Sequence, residues 1–329
     1  MSGRRQLRAS ELDVIRHTRG RSTLLFITDR CPVGCAHCSV DSRTTSPSIT
    51  DFALFEDILD WLCEQGEMDV VGISGGEPFV ERRGLTRAVE RLDGADKLVV
   101  LYTSGVWASA AKTPGWIAQV LERASTVFLS TDAFHQDQIA DETFIRAART
   151  VATAGAWIIV QVIGVDGMVE RAQGLLRAAF GDDFSPFAEL RLTPALTAGR
   201  GANVFTSAHR QPGHAFAPCT AVASPIIRYD GVATACCNES VIMGWGPARL
   251  RRVAHSREQL AVAMDAFHDD PFLKAIGGPG PRVLTALPQF ADLAQTEFAS
   301  VCNLCWKMIE RSGPDAPPDR LLDAINVLG

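Results

Sequence analysis

Short apolar runs alternate with amphipathic stretches through roughly the first two thirds of the chain, and this alternation restricts the fold. The runs are typical of buried strands and cover residues 23–28, 69–73, 97–103, 126–131, 157–164 and 189–193. Helical periodicity covers residues 51–64, 81–92, 115–123, 141–153 and 168–179 between them. The repeated strand–helix order predicts an α/β fold with a parallel sheet and right-handed crossovers.

Six strand–helix units are too few for a closed eight-stranded barrel. We therefore expect an open, partial (β/α)6 barrel of the TIM type, over residues 21–205, with a small C-terminal domain over residues 206–329. Residues 1–20 form an N-terminal extension. In a barrel of this kind, functional side chains lie at the carboxyl ends of the strands.

Three cysteines follow the first predicted strand in the run Cys31-Pro32-Val33-Gly34-Cys35-Ala36-His37-Cys38. Thiols this close together in one loop can converge on a single inorganic centre. Three thiolates are one short of the four that hold an ordinary iron–sulfur cluster, so one iron would lack a protein ligand. Cys35 and Cys38 alone would also suit a zinc knuckle, although no further cysteine follows until Cys63.

A second motif, Ser74-Gly75-Gly76-Glu77-Pro78, follows the second predicted strand. Two glycines after a strand allow a ligand to approach the backbone closely. Glu77 and this backbone can meet the ammonium group of an amino acid. Because both motifs follow strands of one parallel sheet, they open onto the same face of the barrel.

The cysteine spacing, with His37 in a position that is usually aromatic, together with Gly75-Gly76-Glu77-Pro78, resembles the radical S-adenosylmethionine (SAM) superfamily. The resemblance covers roughly residues 20–205. It implies a 4Fe–4S cluster on Cys31, Cys35 and Cys38 whose open iron chelates SAM. It also implies reductive cleavage of SAM to a 5′-deoxyadenosyl radical, with a flavodoxin- or ferredoxin-type protein as the electron donor.

Further positions match this family's pattern less specifically. Ser104 and Ser130 follow or end strands and could bind the SAM ribose, although serines there are commonly turn or cap residues. Arg146 could reach the SAM carboxylate as a bidentate donor, or could be a solvated helix-face residue. Thr193-Pro194 with Gly199-Arg200 resembles the loop against which adenine packs. Asp132 and His135 are candidate substrate contacts.

The C-terminal cysteines resemble an auxiliary-cluster domain of the SPASM/twitch kind. Cys219 and Cys236 would stand at the two ends of a hairpin that turns at Asp230-Gly231 between residues 226–229 and 232–235. Cys302 and Cys305 would complete the site. This set implies one auxiliary 4Fe–4S cluster; a zinc ribbon on the same four thiols is the alternative.

Cys236 and Cys237 are adjacent, so in a strand their side chains point to opposite faces. The glycine spacing favours Cys236 as the ligand and leaves Cys237 free, although a slip of one residue would exchange them. A free thiol beside a radical site can return a hydrogen atom to a carbon radical, as in radical SAM epimerases. In a dehydrogenase, a base such as Glu239 would take a proton instead. Cys237 could also be a small buried hydrophobe, the interpretation we favour for Cys63 on its helix.

Composition agrees with a cytoplasmic enzyme. The chain has 329 residues, 47% apolar residues, a net charge of −6 and nine cysteines. We expect no membrane span, no secretory signal and no nucleic-acid partner. Cysteines in such a chain point to metal ligation in a reducing compartment.

We expect a radical SAM enzyme of natural-product biosynthesis that epimerises a carbon centre of a sugar, an aminocyclitol or a peptide. The alternatives are dehydrogenation of a small alcohol, cross-linking of a ribosomal peptide, and, in another class, an iron–sulfur electron-transfer or scaffold protein. The first predicted strand starts too early for a separate peptide-recognition domain. This favours a small molecule, or a peptide bound by the barrel mouth alone.

Overall fold

The computed structural model describes residues 5–312 except 132, 137, 165–166 and 207–208. Its strands are β1 Ser22–Phe26, β2 Val70–Ser74, β3 Leu98–Thr103, β4 Thr126–Ser130, β5 Trp157–Ile163, β6 Ala188–Thr193, β7 Gln211–Pro212, β8 Ile226–Arg228, β9 Val232–Thr234, β10 Arg251–Val253 and β11 Glu297–Phe298. Its helices are α1 Ala9–His17, α2 Phe52–Glu64, α3 Arg82–Gly94, α4 Gly115–Glu122, α5 Ala133–Gln136, α6 Asp141–Thr153, α7 Met168–Phe180, α8 Glu239–Ile242, α9 Arg257–Asp269, α10 Pro271–Gly277, α11 Pro281–Leu284 and α12 Val301–Ser312.

Strands β1 to β6 are parallel neighbours in chain order, as the strand–helix alternation predicts. The register places Ser22 opposite Val70 and Val70 opposite Leu98. All six predicted strands are present, with ends shifted by no more than a few residues. The predicted partial α/β barrel is therefore confirmed.

The sheet extends beyond the six predicted strands to nine. Strand β8 pairs in parallel with β1, and β9 and β10 follow as antiparallel neighbours. The predicted Asp230-Gly231 turn joins β8 to β9. Gly231 has a φ of +80°, and a Cβ there would lie 2.1 Å from the Ala254 carbonyl oxygen. Only glycine fits this turn.

Helices α2, α3, α4, α6 and α7 cover the outer face of β1–β6, as their periodicity predicts. Helix α2 begins where the Asp51 side chain accepts hydrogen bonds from the backbone of Ala53 and Leu54. Its predicted apolar positions, Phe55, Ile58, Leu59 and Leu62, are all buried in the main core. Cys63 packs against the same core, in agreement with its interpretation as a core residue.

Helix α1 covers the inner face of the barrel at the amino ends of the strands. Leu7 and Leu12 are fully buried there against Val70, Val100 and other inward-facing strand residues. The Leu7 backbone exchanges two hydrogen bonds with the Thr126 hydroxyl at the start of β4. The N-terminal extension therefore closes the barrel interior from below.

A buried ion pair joins the β8–β9 hairpin to the segment that leads into the cysteine loop. Arg228 donates from both terminal nitrogens to the two Asp29 oxygens, at 3.0 and 2.9 Å, and Tyr229 donates to Asp29 at 3.0 Å. Both charged side chains are 8% exposed. The pair fixes residue 29, two positions before Cys31, against the C-terminal part of the chain.

No helix within the described part of the chain combines the length and the apolar character of a membrane span.

Candidate functional site

A cavity of about 530 Å³ opens at the carboxyl ends of the parallel strands. Side chains from the last residues of five strands line it: Ser74, Thr103, Ser130, Ile163 and Thr193. The barrel thus presents its cavity at the expected end.

All three cysteines of the N-terminal motif line this cavity. The loop is shaped by backbone hydrogen bonds from Cys31 to the Arg43 carbonyl and from Cys38 to the Cys35 carbonyl. Burial raises the pKa of Cys31 to about 12, and negative charge on Glu77, Cys35 and Cys38 adds to the increase. The three thiols are therefore close enough to interact, as convergent ligands must be.

The loop after β6 holds the cysteine loop from behind. The Arg200 side chain donates to the Cys35 carbonyl, and the Arg200 backbone donates to the Cys38 carbonyl, both at 2.9 Å. A Cβ on Gly199 would lie 2.5 Å from the Ser39 carbonyl oxygen. Of the residues predicted to pack against adenine, Thr193 and Pro194 line the cavity, whereas Gly199 and Arg200 support the cysteine loop.

Gly75 and Gly76 also line the cavity. The Gly76 amide donates to the Thr28 carbonyl at 2.6 Å, and a Cβ on Gly76 would lie 2.3 Å from the Arg30 carbonyl oxygen. The two glycines therefore lie directly against the backbone that enters the cysteine loop, and larger residues would separate the two motifs.

Glu77 does not line the cavity, and its carboxylate serves a different purpose from the predicted contact with an ammonium group. It is 1% exposed and accepts hydrogen bonds from the Ser104 amide and hydroxyl, the Thr103 hydroxyl and the Phe79 amide. Burial raises the pKa of Glu77, and hydrogen bonds from Ser104, Thr103 and Phe79 oppose the increase. Glu77 positions the segment after β3, including Ser104.

The remaining predicted contacts divide between the cavity and other places. Ser104, Ser130 and His135 line the cavity, and the His135 ring lies edge-on to His37 at 5.2 Å. Arg146 instead donates to the carbonyls of residues 108–110, at 2.6, 3.1 and 3.0 Å, and is not among the cavity-lining residues. This arrangement does not support its predicted contact with the SAM carboxylate. Asp132 lies outside the described residues.

The floor of the cavity, which we define as Arg16, Tyr102 and Arg191, was not predicted from the sequence. Arg16 comes from α1, and the other two point inward from β3 and β6. Inward-facing strand positions alternate with outward-facing ones, so Tyr102 and Arg191 could have been found by strand parity. Arg16 could not, because nothing in the sequence places α1 inside the barrel.

Four C-terminal cysteines form a second group. The pKa of Cys305 is raised well above its usual value by burial and then by negative charge on Cys236, Cys219 and Cys302. Burial raises the pKa of Cys219 to about 11, with Cys302 as the next contributor to the increase. Cys302 and Cys305 lie one turn apart on α12. Cys236 and Cys305 lie together in the main core, and Cys219 packs against it.

Cys236 and Cys237 belong to different cores. Cys236 lies in the main core with Cys305, whereas Cys237 packs against the separate cluster of Phe26, Ile226 and Ile242. Cys237 lines a small pocket of about 20 Å³ that shares Arg16 and Tyr102 with the main cavity. Both residues follow the end of β9 at Thr234, so they do not lie in a strand as predicted, but their side chains still pack into different clusters.

Glu239, at the start of α8, lines the main cavity itself, and burial raises its pKa. Among the residues that the structure describes, no three Cys, His, Asp or Glu side chains are gathered closely enough to hold a single metal ion. A four-iron cluster is larger than an ion, so its thiols stand further apart. Cysteine thiols in sets of three or four are the ligands that such clusters use.

Comparisons with known proteins agree with this architecture. No protein-family model matches the chain. The structure of anSMEcpe with bound AdoMet and the Cp18Cys peptide aligns with a TM-score of 0.53 at 13% identity, over 94% of this chain and 99% of that one. The structure of Streptococcus suis SuiB bound to the precursor peptide SuiA aligns with a TM-score of 0.50 at 12% identity, over 81% of this chain and 68% of that one.

In sequence, the chain is similar to YydG of Bacillus subtilis, whose name marks it as a candidate peptide biosynthesis protein. The two are 22% identical over 92 residues, 28% of this chain, and the match spans 29% of the length of YydG.

SuiB and anSMEcpe are radical SAM enzymes. At these identities, the likeness establishes the fold. The chain therefore shares the fold of these two enzymes.

Proposed function

We propose that the protein is a radical SAM enzyme that reductively cleaves S-adenosylmethionine and removes a hydrogen atom from its substrate. One observation carries the proposal: the thiols of Cys31, Cys35 and Cys38 and the backbone of Gly75 and Gly76 line the same cavity. An electron-transfer or scaffold protein would not need a glycine segment whose exposed backbone lies against the cysteine loop that holds its cluster.

Each part of the cavity has a role in this proposal. Cys31, Cys35 and Cys38 hold a 4Fe–4S cluster and leave one iron open. The Gly75-Gly76 backbone binds the amino end of SAM, and Ser104 and Ser130 bind its ribose. When bound, the cluster and SAM supply the electron and the 5′-deoxyadenosyl radical that removes the hydrogen atom, with a flavodoxin- or ferredoxin-type protein as reductant.

Anaerobic reconstitution followed by quantification of 5′-deoxyadenosine tests the proposal. The triple variant Cys31→Ala/Cys35→Ala/Cys38→Ala should lose SAM cleavage, because these are the cysteines that line the described cavity. Cys63→Ala, which changes a thiol outside the cavity, is the matched control and should cleave SAM normally. Cleavage that persists in the triple variant would refute the proposal.

We propose an auxiliary 4Fe–4S cluster in the C-terminal domain, residues 206–329, with Cys219, Cys236, Cys302 and Cys305 as its ligands. Cys236 and Cys305 share the main core, Cys219 packs against it, and Cys302 lies one helical turn from Cys305; this packing supports the assignment. The separate packing of Cys237 supports its exclusion from the ligand set.

For the substrate, we propose a peptide or a sugar-like small molecule of natural-product biosynthesis, processed in the cytoplasm. The bound peptides of SuiB and anSMEcpe support the first of these. Nine free thiols are in keeping with a reducing compartment.

For the reaction, we propose epimerisation with Cys237 as the hydrogen donor. Cys237 is surplus to the four-thiol group, and its pocket shares two residues with the main cavity. Its S–H bond would transfer one hydrogen atom to the substrate radical, and the resulting thiyl would take up an electron from the reductant and a proton. The product would keep the mass of the substrate.

Dehydrogenation is the second candidate, because Glu239, unlike Cys237, lines the main cavity directly. Glu239 would accept a proton from the substrate radical while an electron leaves to the auxiliary cluster.

Turnover in D₂O with extracts of the producing organism separates the two reactions. An epimerase should place one deuterium at the inverted carbon, and Cys237→Ala should still form 5′-deoxyadenosine without giving the epimer. A dehydrogenase should give a product that has lost two hydrogen atoms and carries no solvent deuterium, and Cys237→Ala should turn over nearly normally.

A further inference from the structure

Helix α1 carries a cation into the cavity from the amino-terminal side of the barrel. Leu12 is buried among the inward-facing strand residues, and Arg16 lies one turn further along the same face of the helix. Arg16 is half-buried and lines the main cavity. The apolar residues of α1 thus anchor the helix, and its last turn places the Arg16 guanidinium at the cavity.

Arg16 forms no ion pair with any carboxylate in the described part of the chain. The negative charges that would raise its pKa are, in order, those of Tyr102, Cys237 and Asp13. Burial raises the pKa of Tyr102, so its hydroxyl group is neutral near pH 7. A half-buried guanidinium without a hydrogen-bonded anion has a desolvation cost that, among the carboxylates, the charge of Asp13 offsets without a direct ion pair.

Arg191 adds a second cation to the floor. Its Nη2 forms an ion pair with Asp13 at 2.8 Å, whereas its Nη1 is buried without a hydrogen-bond partner among the described residues. Tyr102 lies close enough to both arginines for their charges to lower its pKa against the effect of burial. Two guanidinium groups, those of Arg16 and Arg191, therefore lie near Tyr102, and Asp13 forms an ion pair with the second.

We propose that the floor of the cavity, Arg16 and Arg191 beside Tyr102, binds an anionic carboxylate or phosphate group of the substrate. Guanidinium groups recognise both through paired N–H donors. Such an anchor would hold the substrate between the thiols of the cysteine loop and the pocket of Cys237, because Arg16 lines both spaces. The role of this anchor in holding a substrate rests on the proposed function, whereas anion binding itself can be measured without turnover.

Binding of small anions to the reconstituted full-length enzyme tests this assignment. N-acetyl-glutamate and N-acetyl-phosphoserine are the anionic probes, and N-acetyl-glutamine is the neutral match. The α-carboxyl group of each probe is blocked as a methylamide, so that any charge lies on the side chain alone, and each is measured by calorimetry or ligand-observed NMR with and without SAM. An anionic probe should bind about tenfold or more tightly than N-acetyl-glutamine. Preference for one of the two anionic probes would identify the group as carboxylate or phosphate.

Variants distinguish binding from folding. Arg16→Gln and Arg191→Gln should each weaken the anionic probe about tenfold or more. Asp13→Asn breaks the same ion pair as Arg191→Gln but leaves the guanidinium free, so it should retain or tighten binding. Arg123→Gln, which changes a partly exposed arginine that pairs with Asp93 outside the cavity, is the control.

Equal affinity for N-acetyl-glutamate, N-acetyl-phosphoserine and N-acetyl-glutamine would overturn the inference, as would unchanged anion binding in both arginine variants. Weaker binding of SAM in these variants, with unchanged anion binding, would assign the arginines to the SAM carboxylate and also overturn it. Failure of the wild-type enzyme to form 5′-deoxyadenosine would refute the proposed function separately, because probe binding is measured independently of SAM cleavage.

Discussion

The Glu77 carboxylate receives four hydrogen bonds at a position almost closed to water, from two backbone amides and two hydroxyl groups. The Thr103 hydroxyl in turn accepts from the Gly105 amide and the Trp107 indole, so its own hydrogen is directed to Glu77. An ionised carboxylate can accept from all four donors, whereas an amide cannot. The segment after β3 is therefore fixed by one side chain.

Glu77→Gln should lower the free energy of unfolding by about 2 kcal/mol, because the new amide hydrogens face existing donors. It should also weaken SAM binding, since Ser104 loses its fixed position. Urea unfolding and calorimetry with SAM measure the two effects. Glu64→Gln, at an exposed carboxylate on α2, is the control; an equal loss of stability in both variants would contradict the role assigned to Glu77.

Glu239 should make stability depend on pH. Burial raises its pKa in the folded state, so folding favours the protonated form. The stability that the protonated group contributes is present below its unfolded pKa and is lost as the pH rises through the raised pKa. Glu239→Gln removes this loss, so the unfolding temperature of the variant relative to wild type should increase as pH rises above about 4.5. A constant difference across the series would refute the prediction.

At the scale of elements, the cysteine loop depends on three neighbouring segments rather than on itself. Gly75-Gly76 touches the backbone before it, the loop after β6 supports it from behind, and the β8–β9 hairpin is tied to Asp29. Because Asp29 and Arg228 are both buried, their pair couples the hairpin of the proposed auxiliary domain to the entrance of the cysteine loop.

Breaking this pair from one side should cost more than removing it. Asp29→Asn or Arg228→Met should each lower the free energy of unfolding by about 3 kcal/mol. The first leaves buried Arg228 with Asp230 as its remaining carboxylate partner, and the second leaves buried Asp29 with the Tyr229 hydroxyl as its remaining side-chain donor. The double variant should lose much less than the sum. A double-mutant cycle by urea unfolding measures the coupling; additive losses would show that the pair does not act as a unit.

At the scale of the whole molecule, the two cysteine groups belong to different parts of the chain. Cys31, Cys35 and Cys38 pack around Val33 and Ile139 at the barrel mouth, whereas Cys219, Cys236 and Cys305 contact the main core. Residues outside the strands and loops of β1–β6 nevertheless line the cavity, since Arg16 comes from α1 and Glu239 comes from α8.

The two proposed clusters should therefore load independently. The Cys31→Ala/Cys35→Ala/Cys38→Ala variant should keep about four irons per chain and lose about four, because four thiolates elsewhere suffice for one cluster. Iron and sulfide analysis with Mössbauer spectroscopy measures this. Zinc in place of the remaining iron, or no metal at all, would refute the auxiliary cluster. Loss of iron in Cys237→Ala, with Cys236→Ala retaining it, would reverse the assignment of these two residues.

The alternation of apolar runs and amphipathic helices was enough to predict β1 to β6 and their parallel order, because strand and helix periodicities are local properties of the sequence. The cysteine spacing and the two glycines after β2 likewise predicted which residues meet at the barrel mouth, since the carboxyl ends of parallel strands share one edge. The hairpin at Asp230-Gly231 was predicted by its turn residues alone.

Only the tertiary structure decided the rest. The insertion of α1 into the barrel depends on the shape of the interior that Val100 and its neighbours leave open, and this placement brings Arg16 to the cavity. The Glu77 side chain points inward because hydroxyl and amide donors at the end of β3 lie within its reach. The Arg146 side chain points to the carbonyl groups of residues 108–110. Long polar side chains can reach several partners, so the surrounding packing, and not sequence position, selects among them.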